Sequence, residues 1–150
     1  MAKFDTVNDA SWVLLGKLTF SGTSTVTTSL VDMQGYDALD ICILNATVND
    51  AGAAGGHTIK LQEADVTTAA SFTDVATTNG VNGAVTVSTT LDTDDDKIAG
   101  VLGYIGGKRY VRASGTGTAL SDGIVYVMGR RSRGGIAKPP TIVGSATAAT

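Results

Sequence analysis

Cysteine occurs once in this 150-residue chain, as Cys42, and so do histidine (His57), glutamate (Glu63) and tryptophan (Trp12). Proline occurs only as the adjacent pair Pro139-Pro140. Each scarcity excludes something. One cysteine allows no internal disulfide, and within the apolar run "DICILNA" it reads as an inert buried thiol. One cysteine and one histidine cannot make a Cys/His zinc set, and His57 has no Ser and Asp at a spacing that signals a nucleophilic triad. A carboxylate pair for glycoside hydrolysis has only Glu63 as a glutamate, with nothing marking a second member. The glycine-rich "GTGT" and "GYIGG" lack a phosphate-loop lysine at the right offset and a following helix, and read as turns. No apolar run nears the roughly 18 residues of a membrane span. The first 20 residues lack the apolar core and small-residue cleavage site of a secretion signal. No enzyme, no cofactor and no membrane partner is expected, and synthesis in the cytoplasm is.

Charge is scarce too: 17% of residues are charged, against roughly 25% in soluble domains. The good helix formers Glu, Lys and Gln are few, whereas threonine occurs 22 times and glycine 19 times. An all-β fold with glycine turns follows. The length suits one domain with a real core.

Strand signals run from Lys17 onward. "KLTF" and "TSTVTTSLV" alternate around Ser21-Gly22. "YDALDICILNATV" is apolar on both faces, Leu39, Ile41 and Ile43 against Cys42, Leu44 and Ala46, so it should be central and covered twice. After the loop "NDAGAAGG", "HTIKLQEAD" places Ile59 and Leu61 inward and Lys60 and Gln62 outward. "SFTDVAT" reads as a strand with Phe72 and Val75 as core contacts, "NGVNG" as a turn, and "AVTVST" as the next strand. "IAGVLGYI" and "KRYVRAS" flank Gly106-Gly107, a hairpin signal, and "GTGT" reads as the turn before "LSDGIVYVMG". Eight or nine short strands with regular turns imply a two-layer β-sandwich, jelly-roll-like, with a closed barrel as the alternative. The expected boundaries are an N-terminal arm or lead-in segment over 1–16, a sandwich over 17–128 and a C-terminal arm over 129–150. In the first segment, "NDASWVLLG" fits a short helix capped by Asn8 or Asp9 and stopped by Gly16, or equally a strand or arm.

The charge is unevenly placed. Residues 1–128 hold all 14 acids and 7 of the 11 basic residues, a net of −7, and residues 129–150 hold the other four basic residues. An acidic body with a basic tail points to an electrostatic partner for the tail. The acidic stretch Asp92–Asp96 opens like a calcium loop, but Lys97 stands where the turn glycine belongs and Gly103 where a bidentate carboxylate is needed, so it reads as a solvated turn. "KRYVR" interleaves cations with an aromatic, and its cations are expected to pair with aspartates on neighbouring strands. Three clustered arginines are too few to make an acidic protein a duplex binder, so nucleic acid is not expected as a partner.

"HTIKLQEADVTTAASFTDV", then "YIGGKRYVRAS", then "GIVYVMGRRSR" form an ordered set over roughly residues 36–133. The set resembles small β-rich virion proteins of tailed bacteriophages, which pair a T-x-K-L-Q-E/D-S/A-D strand with an F-T-D-V strand and a later G-x-K-R-Y-V-R strand. The long "VTTAAS" departs from the shorter turn usual there. The resemblance implies a capsid decoration (cement) protein on the outer surface of the virion, with the major capsid protein as partner and self-association, commonly as a homotrimer. A head–tail connector or tail component is the alternative within that class, and a carbohydrate-binding sandwich for host adhesion is the alternative outside it. On physical grounds, residues 129–143 are expected to leave the sandwich and lie on a neighbour. Arg130, Arg131 and Arg133 would meet carboxylates there, Ile136, Ile142 and Val143 would fill apolar grooves, and Pro139-Pro140 would lower the entropy cost of ordering. Trp12 is a candidate contact of a second arm, or else a core residue closing one end of the sandwich.

Overall fold

The structure, a computed structural model, describes residues 10–50, 56–76, 78–81, 83–88, 97–118 and 120–132. Arg133, Ile136, Pro139, Pro140, Ile142, Val143, the acidic stretch Asp92–Asp96 and the caps Asn8 and Asp9 lie outside the described residues. The described strands are β1 (Ala10–Gly22), β2 (Thr25–Thr27), β3 (Val31–Asp32), β4 (Ala38–Asp50), β5 (Gly56–Ala64), β6 (Thr73–Asp74), β7 (Gly80–Val81), β8 (Ala84–Ser88), β9 (Lys97–Tyr104), β10 (Tyr110–Thr118) and β11 (Leu120–Ser132). One turn of 3-10 helix, Ala69–Ser71, interrupts them.

Two antiparallel sheets pack face to face. The first has the order β1-β11-β4-β9-β7, and the second β2-β10-β5-β6, with β3 added to β10 and β8 to β5. The first half of the chain pairs with the second in reverse: β1 with β11, β2 and β3 with β10, β4 with β9, β5 with β8. This is a long ribbon rolled on itself, and the pairs β4–β11 and β5–β10 close the roll into a jelly-roll sandwich.

Alternation decides what each strand buries. Leu39, Ile41 and Ile43 of β4 and Val125 and Val127 of β11 point inward from the first sheet. Ile59 and Leu61 of β5 and Val111 and Ala113 of β10 meet them from the second. In β1 the period slips once. Leu15 is buried, a bulge follows between Leu14 and Gly16, and Lys17 faces out while Leu18 and Phe20 face in. Gly16 sits at φ +124°, a conformation that a residue with a Cβ seldom adopts. Without the slip, Leu18 and Phe20 would point to solvent.

Several expectations are corrected. Residues 10–16 form the start of β1, which excludes the helical alternative there, and the described strands of the sandwich reach from Ala10 to Ser132, beyond the expected 17 to 128. Arg130, Arg131 and Ser132 are paired sheet residues, so no arm leaves the body at 129. "GTGT" (115–118) lies inside β10. A Cβ on Gly115 would stand 2.6 Å from the Phe20 ring, and one on Gly117 would stand 2.7 Å from the Gly22 carbonyl oxygen. These glycines let the two sheets approach and do not turn the chain. Gly106-Gly107 does not close a hairpin, because β9 and β10 belong to different sheets and the segment is a crossover. There, a Cβ on Gly106 would meet the Tyr104 ring at 2.6 Å. The "SFTDV" strand shrinks to the two residues of β6, although Phe72 is buried and Val75 packs on the core as expected. Finally, β4 is central in its sheet but covered once: Leu39, Ile41 and Ile43 on its inner face are fully buried, whereas Cys42, Leu44 and Ala46 are only half-buried.

Candidate interaction surface

The uncovered face of the first sheet follows directly from the strand registers. Trp12, Arg130 and Asp40 stand side by side across β1, β11 and β4. Below them lies the row Leu14, Met128 and Cys42, then the row Lys17, Tyr126, Leu44 and Ile98, the last on β9. Every other residue of these strands points into the core, so these side chains have no choice but to share the outer face. They are apolar and exposed: Trp12 at 69%, Leu14 at 68%, Ile98 at 66%, Met128 at 45% and Tyr126 at 42%. Scattered apolar side chains on a surface are ordinary, whereas these form one contiguous band. Asp40 and Arg130 bound it at one end and Lys17 at the other side. Burial pushes the Asp40 carboxyl up from its ordinary range, and the Arg130 charge opposes that shift. Burial also raises the Cys42 thiol, which favours its protonated form.

Elsewhere several charged side chains are paired within the chain. Arg109 donates to Asp32 at 3.0 Å, Lys108 pairs with Asp65 and Lys60 with Asp74. The guanidinium of Arg109 lowers the Asp32 carboxyl, and Lys60 lowers that of Asp74. Arg112 donates to Gln62 at 3.0 Å and lies over the Phe72 ring at 4.1 Å. The cations of "KRYVR" thus meet aspartates, a glutamine and an aromatic ring of neighbouring elements. Arg131 is held by its own subunit. It stacks on Tyr36 at 4.4 Å and donates to the Asp32 carbonyl at 2.7 Å and to the Ser11 hydroxyl at 3.1 Å. Arg130 alone of the two described tail arginines faces outward beside Trp12. The candidates Trp12 and Arg130 are therefore brought together, and Arg131 is directed away from them.

Two buried groups hold the sheets in place. Tyr104 of β9 donates to the Glu63 carboxylate of β5 at 2.7 Å, and its oxygen accepts from the Lys108 amide at 2.9 Å. Burial and the Glu63 carboxylate raise the Tyr104 phenol well above its ordinary range, so it stays a donor. His57 is stacked on Phe20 with ring centroids 5.0 Å apart. An open groove of about 520 Å³ lies between the β3–β4 turn and the β9–β10 crossover, lined by Tyr36, Asp37, Gly106, Lys108 and Arg109 among others. Among the described residues, no three His, Cys, Asp or Glu side chains are grouped to hold a metal ion. No helix among them is long and apolar enough to cross a membrane.

Sequence reasoning missed Leu14, Ile98, Tyr126 and Met128 as members of the exposed apolar band. The signal was present in the alternation of β11 and in the two apolar faces of β4, but it was read as double cover within one chain.

No protein-family model matches the chain, and no curated protein sequence does. Among solved structures, the chain is similar to the SPBc2 prophage-derived protein YomS, with 16% identity, 82% of this chain and 92% of that chain covered, and a TM-score of 0.44. It is also similar to a structure from Bacillus endospore appendages, described as a novel family of disulfide-linked pili, with 16% identity, 83% and 90% coverage and a TM-score of 0.40. Likenesses this distant do not bear on function.

Proposed function

We propose that the protein is a non-enzymatic structural protein of a phage-type virion. It decorates and stabilises the outer surface of the capsid shell by binding the major capsid protein and neighbouring copies. The observation that carries this reading is the contiguous apolar band on the outer face of the first sheet, where Trp12, Leu14 and Ile98 are each about two-thirds exposed. A surface of that kind is costly in water and is offset by contact with protein. The resemblance of the ordered strand motifs to those of phage virion proteins is what points to the class of partner. The net −7 of residues 1–128 and the four cations beyond them suit a lattice in which the basic end of one copy meets the acidic body of the next.

The test is to count copies in purified particles by quantitative mass spectrometry. Decoration requires a number that follows the capsid lattice. A small fixed ring of copies assigns the protein to the tail or the head–tail connector, and absence from particles rejects the reading. Limited proteolysis of residues 133–150 adds a second measure: protection in particles and cleavage in free protein is the expected pair.

A further inference from the structure

The exposed face of the first sheet has a property that its composition does not reveal: it is complementary to itself. The two central strands, β11 and β4, carry Arg130 beside Asp40, Met128 beside Cys42 and Tyr126 beside Leu44. In each row the cation or the larger side chain stands on β11, and the anion or the smaller one on β4. A two-fold axis parallel to these strands, midway between them and above the face, exchanges the two columns and leaves the rows in step. Arg130 of one copy then lies over Asp40 of the other, Met128 over Cys42 and Tyr126 over Leu44. Each contact occurs twice, as an isologous interface demands. The flanking strands exchange as well, so that Trp12 of β1 lies over Gly103 of β9, Leu14 over Val101 and Lys17 over Ile98.

We propose that a second copy of this chain packs face to face on the β1-β11-β4-β9 sheet about this axis, making a two-fold dimer and not the trimer implied by the resemblance to decoration proteins. The proposal rests on the self-association in the proposed function and is independent of any shell. The area is sufficient. Five side chains exposed by 42–69% leave on the order of 500 Å² in water, and Cys42 and Leu44 between them extend the patch toward the roughly 800 Å² per partner of a stable interface. The geometry is ordinary, since sheets stack about 10 Å apart with their strands nearly aligned. It also gives β4 the second cover that its two apolar faces call for.

The experiment is sedimentation of the full chain over a range of concentrations, together with charge variants on the two central strands. The wild type is expected at twice its 15.2-kDa mass. Arg130→Glu and Asp40→Arg each place like charges opposite one another and should weaken association at least tenfold. An equimolar mixture of these two variants should recover it, because in the mixed pair each acid again faces a base. Recovery on mixing cannot arise from a role within one copy. Met128→Lys and Leu14→Lys, at positions already in water, should also dissociate the dimer, and they keep the test decisive if a charge variant fails to fold. Cys42 provides an independent reading: a thiol reagent should modify it more slowly as the dimer forms. A strict monomer, a trimer, or a dimer indifferent to these substitutions overturns the proposal. So does a monomer whose Cys42 becomes protected only on particles, which would assign the face to the capsid protein. A capsid-free dimer would uphold it while the copy count separately decides decoration.

Discussion

His57 makes the stability of this fold depend on pH in a window where few other groups titrate. Its side chain is 1% exposed and stacked on Phe20, and neither ring nitrogen has a hydrogen-bond partner. Burial therefore favours the neutral ring and pulls its pKa down from 6.5 to about 4. The unfolded chain keeps the ordinary value. Above pH 6.5 both states are neutral and the full stability is present. Between 6.5 and about 4 the unfolded state takes up a proton that the native state refuses, and stability falls by about 1.4 kcal/mol per pH unit. Below about 4 both states are protonated and the loss levels off at about 3 kcal/mol. Asp32 and Asp74, whose carboxyls are lowered by Arg109 and Lys60, hold their contribution above 3.8 and lose it only at lower pH. Asp40, raised by burial, works in the opposite sense, since the native state gains its proton first as the pH falls. Urea denaturation followed by circular dichroism at pH 7.0, 5.5 and 4.5 measures the slope. His57→Phe keeps the stacked ring, removes the titrating group and should flatten the curve between 6.5 and 4. A wild-type curve already flat across that window, or a slope that survives in His57→Phe, refutes the reasoning.

Three further substitutions test the packing between the sheets. Tyr104→Phe leaves the buried Glu63 carboxylate without its donor and the Lys108 amide without its acceptor. A loss of about 3 kcal/mol is expected from the shift in urea midpoint. Glu63→Gln, which still offers an acceptor to Tyr104, should cost clearly less. Gly115→Ala brings a Cβ to within 2.6 Å of Phe20 and 3.2 Å of Leu18. An overpacking cost of about 1–3 kcal/mol should lower the melting temperature by several degrees, and an unchanged melting point would refute the close approach of β10 to Phe20.

Much of the fold was legible because strand alternation is local. The inward set Leu39, Ile41, Ile43, Ile59 and Leu61 is written in steps of two, and each of these residues is buried. Glycine was the least legible residue. Gly106, Gly115 and Gly117 read as turn formers, yet what they supply is room for Tyr104, Phe20 and the Gly22 carbonyl. Missing side chains give no clue to which neighbour will occupy the space. Arg131 was likewise expected to meet carboxylates on a neighbour, since nothing local announces Tyr36, Asp32 and Ser11 as its partners.

By itself, the amino-acid sequence determined that this chain is mainly β, which face of each long strand is apolar, and that β4 is apolar on both. Only the tertiary structure decided that Ala10 pairs with Ser132, that β9 and β10 part into different sheets, and that one apolar face of β4 is left outward. The physical reason is range. Alternation depends on adjacent residues, whereas the choice of sheet partner depends on how the whole ribbon rolls to bury its inner face, and a single roll can cover each sheet on one side only.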